Sequence, residues 1–178
     1  HVASLPTNVG SVDLDPKVTL ETELQSLNST RSSNPGVNLG YIRITDKAGR
    51  FAAIDLRGSQ TIGDVLDRIN DPANGIYVEA RLNEEGNGIE IVDKNHGATG
   101  KLEVIDIDST SASDLGISGR TVDHNLVGRD VDPALTMNTA ISALRDGGVP
   151  MGKVYVQSGA YSGEIDLSGA KTIGDIID

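Results

Sequence analysis

An α+β fold is predicted for this chain: tandem repeat units, each a small, mostly antiparallel sheet packed on one main amphipathic helix. Three observations predict it. Ordered sequence blocks recur between an early and a late part of the chain. One run, 62–69, spaces its apolar residues at i, i+3, i+4 and i+7, a single helical stripe. Several short runs elsewhere alternate apolar and polar residues, the period of a strand with one covered face.

The recurrence sets the domain organisation. Thr19-Leu20-Glu21-Thr22-Glu23-Leu24-Gln25-Ser26-Leu27 matches Thr136-Met137-Asn138-Thr139-Ala140-Ile141-Ser142-Ala143-Leu144, a shift of 117 positions, and each block follows an Asp-Pro pair, Asp15-Pro16 or Asp132-Pro133. Gly40-Tyr41-Ile42-Arg43-Ile44 matches Gly152-Lys153-Val154-Tyr155-Val156 at a shift of 112. Ile54-Asp55-Leu56 matches Ile165-Asp166-Leu167, and Thr61-Ile62-Gly63-Asp64-Val65-Leu66-Asp67 matches Thr172-Ile173-Gly174-Asp175-Ile176-Ile177-Asp178, both at 111. The shift shrinks only across polar, glycine-containing loops, where homologous units differ in length. Residues 1–12 are then expected to end a preceding repeat or linker, 13–120 to form a complete repeat, 121–131 a linker, and 132–178 a truncated second copy. The last matched block stops inside an expected helix, so the chain is expected to be a piece of something longer.

Within one unit, Asp15-Pro16 predicts a helix start carrying Leu20, Leu24 and Leu27 on one face. Tyr41-Ile42-Arg43-Ile44 and Ala52-Ala53-Ile54-Asp55-Leu56 predict strands joined by a turn at Asp46-Lys47-Ala48-Gly49. Thr61 is placed to cap a helix with Asp64 three residues on, and Ile62, Val65, Leu66 and Ile69 form the stripe that Asn70-Asp71-Pro72 ends. Burying four such side chains contributes about 6–12 kcal/mol before ordering entropy is subtracted, so this helix needs a sheet to lie on. The runs 76–82, 89–93 and 102–107 predict further strands, the first two joined by a turn at Glu85-Gly86-Asn87-Gly88. Ser113-Asp114-Leu115-Gly116-Ile117 predicts a short helical turn that tucks Leu115 and Ile117 under the sheet. Aromatic residues are scarce and tryptophan is absent, so the core is aliphatic.

Composition narrows the function. A net charge of −11 disfavours nucleic acid, whose phosphates need clustered Lys and Arg, and disfavours an anionic membrane surface. No stretch approaches the ~20 apolar residues of a spanning helix. The absence of cysteine excludes disulfides, thiolate metal sites and cysteine nucleophiles, and suits a chain exported unfolded.

The run Thr61-Ile62-Gly63-Asp64-Val65-Leu66-Asp67-Arg68-Ile69-Asn70, followed by Gly75-Ile76-Tyr77-Val78-Glu79-Ala80, Gly88-Ile89-Glu90-Ile91 and Asp114-Leu115-Gly116-Ile117, resembles the flagellin hook IN motif. Its namesake pair is Ile69-Asn70, and its beginning recurs at 172–178. That motif occurs in outward-projecting domains of flagellins and of flagellar hook-associated protein 2, the filament cap. The resemblance implies a secreted, extracellular structural module of the bacterial flagellum whose partners are other flagellar subunits or copies of itself. The motif positions Thr61, Ile62, Asp64, Val65, Leu66, Ile69, Asn70, Leu115 and Gly116 are then structural. The terminal heptads that polymerise such proteins are absent from this chain, so assembly is not located on its residues.

Reactive chemistry has little to rest on. His1, His96 and His124 lack metal-ligand spacing. Asp106-Ile107-Asp108-Ser109 resembles the start of a calcium loop without its glycine or distal glutamate. Asp64 and Asp67 are accounted for by capping and by a solvated helix face. Asn28-Ser29-Thr30 fits a glycosylation sequon but is read as helix-end polar composition. No nucleophile elbow, phosphate loop or dinucleotide fingerprint occurs. No catalytic, cofactor-binding or metal-binding residue is therefore expected, and no cofactor. The rival expectation is a repeat of a secreted adhesin that binds glycan or a host surface through its loops.

Overall fold

The computed structural model describes residues 16–28, 36–144 and 148–177. Its strands are β1 (Tyr41–Thr45), β2 (Phe51–Asp55), β3 (Val78–Leu82), β4 (Ile89–Asp93), β5 (Leu102–Asp106), β6 (Gly119–Thr121), β7 (Asn125–Val127), β8 (Lys153–Ser158) and β9 (Tyr161–Asp166). The α-helices are α1 (Ile62–Asn70), α2 (Ser111–Asp114) and α3 (Gly174–Ile177). A four-stranded sheet runs β2-β1-β5-β6, a three-stranded sheet β3-β4-β7, and β8 pairs with β9 alone. Every named pairing is antiparallel. The protein is thus α+β, with three mostly antiparallel sheets and a few short helices.

The larger sheets share one core. Ile42, Ile44, Ile54, Leu102 and Val104 from the four-stranded sheet join Ala80, Ile89, Ile91 and Leu126 from the three-stranded one. The stripe of α1, Ile62, Val65, Leu66 and Ile69, is buried in the same cluster, together with Leu115 and Ile117 behind α2. The sequence predicts a single sheet under the helix. Instead, Asp46 ends β1 in a loop, and the chain leaving α1 starts a separate three-stranded sheet. The stretch 121–131, expected as a linker, carries β7, which pairs with β4 at Glu90↔Val127, Ile91↔Leu126 and Val92↔Asn125. Its short strand and Arg-Asp-Val-Asp continuation hide a buried Val131.

The predicted helix bearing Leu20, Leu24 and Leu27 does not form. Asp15 lies outside the described residues; from Pro16 to Asn28 the segment holds turns and one 3-10 turn at Leu24–Ser26, with no α-helix. Leu24 and Leu27 are buried, but Leu20 is exposed. The physical reason lies in α1. The first amides of a helix have no partner within it, and here Ile62 N–H donates to Thr22 C=O (3.0 Å) and Gly63 N–H to Leu20 C=O (2.8 Å). Leu24 N–H in turn donates to Gln60 C=O (2.9 Å). The carbonyls of 20 and 22 serve the next helix instead of closing a helix of their own. The matched segment near 136–144 also lacks an α-helix, holding a 3-10 turn at Ile141–Ala143.

Candidate functional site

The motif residues converge on the two ends of α1. Thr61 Oγ1 accepts from Asp64 N–H (3.2 Å), while Asp64 Oδ2 accepts from the N–H groups of Thr61 (3.0 Å) and Gln60 (2.7 Å), a complete capping box. Those two backbone amides hold the Asp64 carboxyl below its ordinary range. At the other end, Asn70 does more than stop the helix. Its Nδ2 donates to Ala80 C=O (2.9 Å) and its Oδ1 accepts from Ala80 N–H (2.7 Å). The side-chain amide thus pairs with β3 as a neighbouring strand would, fixing α1 against the three-stranded sheet. Asn74 Nδ2 donates to the carbonyls of Arg68 (2.8 Å) and Ile69 (3.1 Å), closing the helix C-terminus. The sequence marked Asn70 as a helix stop and Asn74 as a turn; the amide pairing depends on tertiary placement that spacing does not reveal.

Leu115 and Gly116 follow the end of α2 rather than lying on α1. Leu115 is buried, and Gly116 has a φ of +74°. A Cβ added at Gly116 would lie 2.8 Å from Arg129 O and 3.0 Å from Arg129 N. The backbone passes so closely because Arg129 N–H donates to Gly116 C=O (3.0 Å). Both the handedness and the approach require glycine.

Carboxylates outside α1 tie loops. Asp46 is buried and accepts from the backbone N–H of Ala48, Arg50 and Tyr77 and from Arg50 Nε. Burial pushes its carboxyl up, but the Tyr77 and Arg50 amides and the Asn95 and Arg50 side chains outweigh this and leave it below the usual value. Asp93 accepts from Lys47 N–H (2.6 Å) and Asn95 N–H (2.7 Å). Asp106 accepts from Ala112 N–H, Ser113 N–H and Ser113 Oγ, and Asp108 from Tyr41 N–H (2.7 Å). The Asp106-Ile107-Asp108 stretch therefore spends its carboxylates on α2 and β1. Among the described residues, no group of three or more metal-ligating side chains comes together. His96 and His124 are exposed, with ring centroids 6.3 Å apart. A cleft of about 410 Å³ is lined by Leu24, Val37, Leu39, Ser59 and Glu23, but the Glu23 carboxylate is engaged by Gln25 (2.7 Å). The Asn28 amide, the first residue of the sequon, is buried and donates to Asp114 C=O (2.9 Å); Ser29 and Thr30 lie outside the described residues.

Around α3 the same bonds recur. Thr172 Oγ1 accepts from Asp175 N–H (3.3 Å), and Asp175 Oδ2 accepts from Thr172 N–H (2.9 Å) and Lys171 N–H (2.8 Å). These amides hold Asp175 low, as their counterparts hold Asp64. Ile173 N–H donates to Thr139 C=O (3.0 Å) and Gly174 N–H to Met137 C=O (2.8 Å). The bridge Glu23↔Thr61 corresponds to Ala140↔Thr172, and the turn bond from Thr19 N–H to Thr22 Oγ1 (2.8 Å) to that from Thr136 N–H to Thr139 Oγ1 (2.9 Å). Gly36 and Gly148, 112 positions apart, have φ of +89° and +87°.

Burial separates the two places. Ile42 and Ile44 are 0% exposed and Ile54 3%, whereas Val154, Val156 and Ile165 at the matched positions are 45%, 46% and 51% exposed. Leu66 is 6% exposed and its match Ile177 66%.

No protein-family model matches the chain, and no curated protein or solved structure matches it.

Proposed function

We propose that this chain is a non-enzymatic structural module of a secreted bacterial flagellar protein, hook-associated (filament cap) or flagellin-like, projecting outward from the assembly. In this reading it is built from tandem copies of one α+β unit, and its partners are other flagellar subunits or copies of itself. The observation that carries the reading is the work done by the motif side chains. Thr61, Asp64 and Asn70 bind backbone, Ile62, Val65, Leu66, Ile69 and Leu115 fill the core, and Gly116 allows a close backbone crossing. A recurring sequence pattern spent wholly on packing serves a scaffold. The matched cap, bridge and glycine geometry at 136–175 supports the tandem-copy part of the reading.

The alternative is a secreted adhesin module, and the exposed aromatic rings of Phe51, Tyr77, Tyr155 and Tyr161 speak for it, because sugars stack on such rings. Antibodies raised against this chain separate the two. Immunogold label on the flagellum of the source cells is the expected result. Label confined to the cell envelope, together with glycan-array binding by the chain that is lost in Tyr155→Ala or Tyr161→Ala, overturns the flagellar reading.

A further inference from the structure

Among the described residues, the β8–β9 hairpin presents a strand edge without a paired neighbour and an apolar face side by side, and the region around β1 indicates what such a surface receives. Successive residues of a strand turn their backbone groups to opposite neighbours. Tyr41 C=O accepts from Ile107 N–H (3.0 Å), so Tyr41, Arg43 and Thr45 turn toward β5, while Gly40 C=O accepts from Leu56 N–H (3.0 Å) on the β2 side. In the hairpin, Gly152 C=O accepts from Leu167 N–H (2.9 Å) on the β9 side. Lys153, Tyr155 and Gln157 therefore turn their backbone groups away from β9, where no strand among the described residues pairs with β8. An open, apolar edge of this kind is a template for another strand.

We propose that β8, β9 and α3 form an acceptor surface for a polypeptide segment of the pattern found at 62–131, whose β5-like strand adds antiparallel to β8. This rests on the tandem-copy reading above. The argument for that occupant is internal. In the region around β1, most of the buried cluster that Ile42, Ile44 and Ile54 join comes from within 62–131, including the α1 stripe, Ile89 and Ile91 of β4, and Leu102 and Val104 of β5, while Val18, Leu24, Leu27 and Leu56 come from outside that range. The register follows by transfer. Ile42 lies opposite Asp106, Arg43 opposite Ile105, Ile44 opposite Val104 and Thr45 opposite Glu103. Val154, Tyr155, Val156 and Gln157 then face the equivalents of Asp106, Ile105, Val104 and Glu103. Val154 and Val156 meet an alternating aliphatic strand on the side where they are now exposed.

The test extends the full chain. Residues 68–131 are fused a second time after Asp178, which matches Asp67, so that the sequence pattern continues without interruption. Amide hydrogen exchange is followed by NMR in parent and extended chains. The expected result is that Tyr155 and Gln157 amides, fast in the parent, gain at least about 100-fold protection in the extended chain. Val104→Lys in the appended copy alone should abolish that gain. Two results overturn the proposal: equally fast exchange in both chains, or protection in the parent that rises with its concentration, which would make a second copy the occupant. Cross-strand contacts between Val154 and Ile165 in the parent tell the two failures apart. With those contacts present and no protection, only the acceptor role falls; with them absent, the tandem-copy reading falls as well.

Discussion

The region around α1 and the region around α3 hold the same cap, the same helix-start hydrogen bonds and the same hairpin, yet one buries its aliphatic side chains and the other exposes them. The difference teaches which interactions are local. A Thr–Asp capping box and a two-stranded hairpin need only their own residues, and the carbonyl pair that serves the first helical amides needs only one segment some forty positions earlier. Burial of Ile42, Ile44 and Ile54 needs β3, β4, β5 and the full length of α1. An isolated hairpin is marginal in water, and a third strand or a helix is what makes it cooperative. Stability should therefore be concentrated in 16–131, and substitutions at matched positions should differ according to burial, although the chemistry removed is the same.

The largest expected effect is a charge placed in the shared core. Ile69→Asp puts an unpaired carboxylate where the helix stripe meets the sheets, a cost of at least about 4 kcal/mol that should unfold the region. Ile42→Asp should do the same. Val154→Asp, at the position matching Ile42, should stay within about 0.5 kcal/mol. Arg68→Ala, beside Ile69 but on the solvent side, should also cost little. Urea denaturation followed by circular dichroism separates these outcomes. An equal loss in Ile42→Asp and Val154→Asp would erase the contrast between the regions.

Backbone geometry comes next. Gly116→Ala introduces a Cβ at a left-handed position within 2.8 Å of Arg129 O, so the crossing of the α2 turn and the chain after β7 must open. The expected cost is about 1–3 kcal/mol, with raised hydrogen exchange at the Arg129 amide, which bonds Gly116 C=O. An unchanged Arg129 amide would show that the crossing tolerates a side chain.

Much of this was legible in the sequence. The α1 stripe carries its own period, its Thr–Asp start and its Asp-Pro stop, so a local pattern gave a correct helix. The alternation in Ile54-Asp55-Leu56 and in Ile89-Glu90-Ile91 marked strands for the same reason. The failures share another cause. Leu20, Leu24 and Leu27 are spaced as on a helix, but the carbonyls of 20 and 22 are claimed by Ile62 and Gly63, some forty positions away. Asn125-Leu126-Val127 is too short to show alternation, and only pairing with β4 makes it a strand. The division into two sheets and the amide pairing of Asn70 with Ala80 depend likewise on contacts between distant residues. Of the candidate positions, the capping pair and the apolar stripe carry their roles in local spacing, whereas the backbone pairing of Asn70 and the close crossing at Gly116 arise only where distant segments meet.

Matched caps give a smaller test of the same contrast. Thr61→Ala removes the acceptor for Asp64 N–H, and losses at such caps run to about 1 kcal/mol. Thr172→Ala removes the same bond at α3, where few buried contacts depend on it. The urea midpoint should fall for the first variant and hold for the second, while hydrogen exchange at Asp175 rises locally. A fall in both midpoints would tie α3 to the core.

The smallest effect concerns acid. The backbone amides of Gln60 and Thr61 hold Asp64 below its ordinary value, and those of Lys171 and Thr172 hold Asp175 there. A carboxyl depressed in the folded state binds its proton more weakly than the unfolded chain does. Its contribution is therefore complete above the unfolded pKa of about 3.9 and is lost as pH falls through the folded value. Between pH 6 and pH 2.5 the urea midpoint of the parent should hold at first and then decline below about pH 4. Asp64→Asn should start lower and decline less, because one of the protons taken up on unfolding is gone. Asp175→Asn should leave the slope unchanged, since the hairpin region is not expected to unfold together with the core. Equal flattening by both variants would mean that the two caps belong to one cooperative unit, and the hairpin would then contribute to global stability despite its exposed aliphatic face.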